Sequence, residues 1–350
     1  MRRTTWTFGL WILTVAAMTS WGTRAGAAGA PAARQDSRQV CSAAADALFS
    51  ACKASAADDA FVAKAKCLNV TDDGDQNECV DELQENRSEA EGLCRHMRDG
   101  RRAACRRLGE SAYDPRIDPS QFDDPRAPAH VNPYFPIAIG NRWEYRSTSG
   151  ETDTVEIVDE TKRIQDVTCV VARDLVEKSD GESEHTDDWY VQATDGSVWY
   201  FGEEVKNLET FEGDDPARGE LVSIDGSFKW GRDRDKDGVI FQATPHKGDV
   251  YLEEFSLGNA EDVTEVLSTN YSHGSSFALD RLVPKELAQR LCSQDCVVTK
   301  NYSLLEPGAF ARKYYARGIG VFLEVEVNTG EVVQLVDCNF DSRCTGLPAP

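Results

Sequence analysis

The stretch DDWYVQATDGSVWYFGEE, Asp187 to Glu204, decides the fold class. Runs of aromatic and β-branched residues flank Asp195-Gly196, a dipeptide well able to take the positive φ angles of a tight hairpin turn. Before the turn Trp189 and Val191 alternate with Tyr190 and Gln192; after it Val198 and Tyr200 alternate with Trp199 and Phe201. Each arm therefore has the two-residue period of a strand. The stretch predicts a β-hairpin at the centre of a large β domain, residues 137–340.

Further strands are expected at 142–146, 153–158, 168–176, 220–230, 250–256, 262–267, 297–302, 311–316, 320–327 and 332–336. DTVEIV, TEVL, VFLEVEV and VVQLV alternate polar with apolar residues. That alternation describes strands with one wet and one buried face, hence an antiparallel sheet around a core. A curved sheet, an open barrel or a sandwich of about ten strands would each satisfy it. Asn328-Thr329-Gly330 marks another hairpin, and only Lys285 to Cys292 reads as helix in this half.

Upstream, residues 111–136 hold six of the 13 prolines among mostly polar neighbours and predict an extended linker. Before it, residues 36–110 form a cysteine-rich region without proline, rich in Ala, Leu, Glu, Gln and Arg, and helical by propensity. Its cysteines, Cys41, Cys52, Cys67, Cys79, Cys94 and Cys105, are separated by 11, 15, 12, 15 and 11 residues. Eleven residues are about three helical turns, so Cys41 and Cys52 share one helix face, as do Cys94 and Cys105. Two antiparallel helices could then be joined by Cys41–Cys105 and Cys52–Cys94, with Cys67–Cys79 closing the connection. This nested set satisfies the geometry, and the others of the 15 connectivities that six cysteines allow remain open. The fold class expected is α + β in two domains, a disulfide-stapled helical module before a mainly antiparallel β domain.

Arg2-Arg3, an apolar run from Trp6 to Met18 and the small residues ending at Ala27 or Ala30 have the layout of a signal peptide, taken as residues 1–27. No Cys lies near the cleavage site, and no later stretch approaches the ~20 apolar residues of a membrane span. The mature chain is therefore expected to be secreted or periplasmic, without an integral membrane segment, and its 11 cysteines to form disulfides. Residues 1–110 balance 15 basic against 15 acidic residues, so the net charge of −22 lies wholly in 111–350. Such a surface repels nucleic acid and anionic lipid, and leaves cations and basic partners, with solubility alone as the plainer reading.

Asp233-Arg-Asp235-Lys-Asp237-Gly238 has the D-x-D-x-D-G start of a calcium loop, in which alternate carboxylates converge on one hard cation. Asp233, Asp235 and Asp237 are thus the candidate metal ligands and Ca2+ the candidate cofactor; the twelfth position, Thr244, departs from an EF-hand, and a polar turn is the alternative. The acid pairs Asp187-Asp188, Glu253-Glu254 and Glu261-Asp262 suggest glycosidase chemistry, but adjacent strand residues point to opposite faces. With 45 acids in this half, chance proximity accounts for them. His96, His130, His185, His246 and His273 show no metal-ligand spacing, and nucleophile elbow, P-loop and dinucleotide motifs are absent. No catalytic residue is assigned. Among the remaining cysteines Cys338 and Cys344 could pair locally, and Cys169 could pair with Cys296; a Cys292–Cys296 bond would instead free Cys169, and an odd count leaves one thiol over.

NPYFPIAIGNRWEY (132–145), DWYVQATDGSVWYFGE, GDVYLEEFSLGNAEDVTEV (248–266) and LLEPGAFARKYYARGIGVFLEVEV (304–327) resemble a family of uncharacterised exported bacterial proteins. That family shares the phrases N-P-Y-F-P, D-W-Y-x-Q, V-W-Y-F-G-E, A-E-D-x-x-E-V and K-Y-Y-A-x-G-x-G. The resemblance covers about 200 residues and implies export without an assigned chemistry. The reading is a non-catalytic binding or cell-envelope protein, stabilised by calcium at 233–238, for a ligand or protein partner the sequence does not name. Trp143, Tyr145, Trp189, Tyr190, Trp199, Tyr200 and Phe201 either pack its core or line a concave face. The alternative is an extracellular hydrolase acting on a polymer.

Overall fold

A computed structural model describes residues 39–179 and 181–350. The expected signal peptide, 1–27, lies outside the described residues. The described chain divides into two compact units, one ending at Tyr113 and one running from Asp114 to Pro350.

The first unit is a helical hairpin of α1 (Val40–Leu68) and α2 (Asp73–Leu108). Asp72 caps α2 by accepting from the backbone N–H groups of Gly74 and Asp75 at 2.8 and 3.1 Å, where the helix leaves donors unsatisfied. Few side chains are buried here: Ala45, Ala56 and Cys67 on α1, and Cys94, Arg101, Ala104 and Cys105 on α2. The rungs between the helices are the nested disulfides Cys41–Cys105 and Cys52–Cys94, each with Cα atoms 5.7 Å apart, and Cys67–Cys79 closes the connection. With so little apolar burial, cross-links that restrict the unfolded chain carry much of the stability, roughly 2–4 kcal/mol each.

The second unit holds fourteen strands among its described residues, in one antiparallel sheet that does not close into a barrel. In chain order they are β1 (Arg142–Ser147), β2 (Thr152–Ile164), β3 (Val167–Glu177), β4 (Ser183–Gln192), β5 (Val198–Glu209), β6 (Glu220–Ser223) and β7 (Phe228–Lys229). There follow β8 (Gly238–Phe241), β9 (Val250–Leu252), β10 (Asp262–Tyr271), β11 (Cys296–Ser303), β12 (Ala311–Ala316), β13 (Gly320–Glu326) and β14 (Val332–Cys338). The ladder runs β6-β5-β4-β3-β2-β1-β14-β13-β12-β11-β10-β9, and β7 and β8 also pair with β5. The sheet curls until β8 reaches the chain just after β9: Lys236 bridges to Phe255, and a Cβ on Gly238 would fall 2.0 Å from the Glu253 carbonyl oxygen. Helices α3 (Phe277–Asp280) and α4 (Lys285–Leu291) follow β10, and Leu287, Ala288 and Leu291 of α4 join the main core with Trp143, Tyr314 and Leu335.

The β4–β5 hairpin forms as the alternation predicts, with a turn over 193–196. Gly196 has φ +96°, and Ala193 donates to the Ser197 carbonyl at 2.8 Å. Asp195 Oδ1 accepts from the Ser197 backbone N–H at 2.8 Å, so the Asp-Gly pair both bends and ties the turn. Residues 220–230, read from sequence as one strand, are two: β6 and β7 are separated by a turn in which Gly226 has φ +90°. Neither β8 nor α3 was legible, each being only four residues long.

The proline-rich stretch is extended but does not span free solvent. Phe122 packs edge-on against Trp199 and Phe201 with ring centroids at 6.3 and 5.6 Å, and Asp123 donates its backbone N–H to Gln192 at 2.9 Å. Asn132, 1% exposed, donates its amide to the carbonyls of Gly196 at 2.8 Å and Gln242 at 3.1 Å. Residues 114–136 thus belong to the β unit.

The expected Cys169–Cys296 pairing is corrected. Cys296 is bonded to Cys292, their Cα atoms 5.3 Å apart, and Cys338 to Cys344. Five strands separate β3 from β11 in the ladder, so Cys169 and Cys296 never meet. Cys169 is a buried free thiol packed with Val171, Trp189, Val191 and Phe201, and burial raises its pKa. Alkylation of the folded protein should leave it untouched, whereas in denaturant without reductant one equivalent should add, at Cys169; peptide mapping locates it. Two or more equivalents would show that one of the other pairs is not formed.

Candidate functional site

The inner face of the curled sheet encloses a cavity of about 250 Å³. Its chemistry follows from strand periodicity. On β4 the residues Glu184, Thr186, Asp188 and Tyr190 fall at two-residue steps and all line the cavity. Opposite them on β5 stand Asn207, Val205, Glu203 and Tyr200. β2 and β3 add Asp153 and Asp174, β12 and β13 add Lys313 and Glu324, and the chain from β9 to the start of β10 adds Glu253, Glu254 and Asp262. Among the described residues, thirteen carboxylate side chains line the cavity and Lys313 is the one cationic residue that does.

One backbone irregularity brings the acids of β4 and β5 to the same side. Between the pairs Asp188↔Glu203 and Tyr190↔Tyr200 the ladder slips, so Phe201 and Gly202 oppose Trp189 alone. Two residues facing one is a β-bulge, and Gly202 takes φ +131° to make it. Without the extra residue Glu203 would follow Phe201 to the outer face. A Cβ at position 202 would also lie 2.3 Å from the Phe228 carbonyl oxygen, so glycine alone lets β7 lie against the bulge.

Toward the hairpin turn the trough is bounded by Tyr190 and Tyr200, which adjoin a packed cluster of aromatic rings. Phe135 meets Tyr190 edge-on at 5.3 Å, Tyr134 stacks on Phe241 at 5.8 Å, and Tyr190 lies 4.7 Å from Tyr200. Away from the turn it is acidic.

Hydrogen bonds satisfy part of the acid set. Tyr200 donates its hydroxyl to Asp188 Oδ1, and Thr264 donates to Glu253 Oε1, which also accepts from Asn301 Nδ2 at 2.8 Å. Asp153 and Asp174 are hydrogen-bonded to each other, which requires one of them to carry a proton. Lys313 Nζ lies 3.9 Å from Glu324 Oε2. Other acceptors have no partner among the described residues: Glu254 Oε2, Asp262 Oδ1, Asn207 Oδ1 and the second oxygens of Asp153 and Asp174. Glu254 and Asn207 are 9% and 8% exposed.

Burial and mutual repulsion set the titration of the site. Burial, then the charges of Asp174 and Asp188, push the Glu184 carboxyl up to about 8, and burial raises Glu253 to about 6 against the pull of Lys313. Asp153, Asp174, Asp188, Glu203 and Glu254 are raised in the same direction, burial being the largest cause in each. For Lys313 burial works against the charged form, but Glu324, Glu253 and Asp262 outweigh it and its pKa rises.

The predicted calcium loop has a different arrangement. Asp233 is at the surface beside Arg232, 3.7 Å away, with φ +51°. Asp235 is hydrogen-bonded to Ser256, and burial holds its carboxyl above the usual range. Asp237 is 0% exposed, with its carboxyl pushed up to about 7 by burial. Among the described residues no three Asp, Glu, His or Cys side chains are grouped to hold a metal ion. Of the histidines, His130 pairs with Asp123 at 3.0 Å and His246 lies 3.6 Å from Asp249.

Of the aromatic residues singled out in the sequence, Tyr190 and Tyr200 line the trough. Trp143 and Tyr145 belong to the main core, and Trp189, Trp199 and Phe201 to the cluster around Cys169. Of the three acid pairs, one contributes both members to the trough and two contribute one each. Asp188 on β4, Asp262 on β10 and both Glu253 and Glu254 after β9 line the trough, whereas Asp187 and Glu261 do not. The available signal was the two-residue recurrence of polar residues in Glu184-x-Thr186-x-Asp188 and Glu324-x-Glu326, which also describes a solvent-facing edge.

Groups whose carboxyls titrate higher in the folded than in the unfolded state make folding take up protons. Their contribution to stability is fully present below the unfolded value of about 4 and lost as pH rises through Glu253 near 6 and Glu184 near 8. The thermal midpoint without added cations should therefore fall by several degrees between about pH 5 and 8.5. A midpoint that rises over that range would show the trough acids to be ionised and compensated.

No protein family, curated protein or solved structure matches the chain in comparisons with each.

Proposed function

We propose that this chain is an exported, non-catalytic binding protein whose β unit receives a cationic ligand in the acid-lined trough. The observation that supports it is the imbalance, among the described residues, of thirteen carboxylates against one ammonium around the cavity, with buried acceptors that have no donor among them. Ionised carboxylates only accept hydrogen bonds, so a ligand that completes them must bring donors or positive charge. Uncompensated like charges at this depth are costly, and structures retain such tension where a ligand relieves it. Export is supported by five disulfides. No helix among the described residues is long and apolar enough to cross a membrane. Membership of the exported bacterial family that the sequence phrases resemble is part of the same proposal.

Calcium at the 233–238 loop is the second element of the proposal, as a stiffener of the segment that leads into β8. Asp235 and Asp237 are both held above the ordinary carboxylate range by burial, and a nearby cation would favour their ionised forms. One observation favours the hydrolase reading instead: Asp153 and Asp174 share a hydrogen bond and hence a proton, the arrangement an acid–base pair uses.

Calorimetric titration with hexaamminecobalt(III) at about pH 8 and low salt tests the cationic reading, because this probe brings charge and N–H donors without shedding ligands. Saturable binding that weakens about tenfold in Glu254→Gln is expected, on the scale of one lost charge-assisted hydrogen bond. Absence of binding to this or any other cation would overturn it. For the loop, calcium should raise the thermal midpoint over that in chelator, and the rise should vanish in Asp235→Ala; an unchanged midpoint removes calcium from the reading.

A further inference from the structure

We propose that the trough is a receptor for a linear aliphatic polyamine, an inference that rests on the cationic-ligand reading above and narrows it to one chemical class. Three features of the cavity separate an extended organic polycation from a point charge.

The first is how the acids are spread. Glu184 and Asp188 are four residues apart on β4, so their positions differ by about 13 Å along the strand, and Glu203, Glu254 and Glu324 approach from other strands. A single ion could neutralise one part of such a line and would leave the rest. A chain with ammonium groups at intervals can meet each part. Among the described residues no three acids are gathered as a metal site would need.

The second is what lies between the acids. Val176, Val205, Ile240 and Phe310 line the same space, with Tyr190 and Tyr200 beside the acidic stretch. Hydrated inorganic ions gain nothing from such surface. Methylene segments gain roughly 0.8 kcal/mol for each CH₂ withdrawn from water, and ammonium groups are attracted to the faces of tyrosine rings.

The third is the unsatisfied acceptors and their natural complement. Glu254 Oε2 and Asn207 Oδ1 belong to side chains at least nine-tenths buried, line the cavity and lack partners among the described residues. Asn207 carries no charge, so its vacancy asks for an N–H donor and not merely for a counter-ion. Lys313 shows the match in place: a four-carbon alkylammonium reaches into this space with its nitrogen 3.9 Å from Glu324. A polyamine would repeat that group along the trough, where about 250 Å³ suits a small linear molecule and not a folded chain.

Competition calorimetry on the oxidised protein at about pH 8, with spermidine, putrescine, calcium and hexaamminecobalt(III), decides the matter. Spermidine should bind at least tenfold more tightly than putrescine, calcium or the cobalt complex. Glu254→Gln should weaken spermidine about tenfold while raising the thermal midpoint of the free protein at about pH 8, since it removes a carboxyl whose ionisation burial and its acidic neighbours disfavour; this variant cannot lose binding through failure to fold if its midpoint rises. Asn207→Leu, which deletes the neutral acceptor, should weaken spermidine and leave calcium, which brings no N–H donor, unaffected. If the cobalt complex or calcium binds as tightly as spermidine, or a short arginine peptide binds and spermidine does not, the polyamine assignment is overturned and the cationic reading stands. If none binds, both fall.

Discussion

The bulge at Gly202 is the constraint on which the trough depends. A strand that kept strict alternation through Tyr200, Phe201 and Gly202 would send Glu203, Val205 and Asn207 outward and bring Glu204 and Lys206 into the cavity. The extra residue reverses that order, so Glu203 stands opposite Asp188 and Asn207 opposite Glu184. The same glycine leaves room for β7, whose Lys229 pairs with it, and β7 carries Phe228 against Tyr200 with ring centroids 5.4 Å apart. One φ of +131° therefore sets both the polarity of the cavity wall and the packing behind it.

The wall so formed is under electrostatic tension, and its hydrogen bonds show how the tension is contained. Glu253 is held by Thr264 and Asn301, Asp188 by Tyr200, and Asp153 and Asp174 by each other. Each arrangement spares a carboxylate the full cost of burial, the last by retaining a proton. Lys313 contributes what one cation can, and its neighbours keep it charged. The unmatched remainder is concentrated at Glu254 and Asp262, near the place where the curled sheet brings β8 against the residues after β9. Local strain of this kind persists because the surrounding frame is rigid: Asn132 ties the hairpin turn to the chain after β8, and Trp143 donates its indole N–H to the Ile319 carbonyl at 2.6 Å.

How far the sequence discloses this depends on whether a feature is local. Equal cysteine intervals on helical segments put two cysteines on one face of each helix, so the nested bonds Cys41–Cys105 and Cys52–Cys94 were legible as one set that satisfies the geometry, and the structure forms them. The hairpin around Gly196 was legible for the same reason. Cys169 was misjudged because its partner had to be inferred across five strands of a sheet whose order no short pattern reveals. The trough was missed on similar grounds. Glu184, Thr186 and Asp188 alternate as a wet face does, and only the curl of the whole sheet turns that face inward to meet Glu254 and Glu324. Periodicity tells which residues share a face; it does not tell whether the face looks at solvent or at its own opposite wall.

A few short segments, NPYFP, VWYFGE, AEDVTEV and KYYARGIG, occupy the positions that make this wall. NPYFP supplies Asn132, the tie at the turn, and Tyr134 and Phe135, the aromatic filling of one end. VWYFGE supplies the bulge and Glu203; AEDVTEV supplies Asp262; KYYARGIG supplies Lys313 and Gly320, whose φ of +96° lets it pack against Pro136 and Trp143. Framework and charge thus come from the same few segments, so the acids are placed by the elements that hold the sheet in its curl. A charged surface kept only for solubility would have no need of that coincidence. It would sit on the outer face, where Glu204 and Lys206 already lie exposed, and would not be folded inward at the expense of stability.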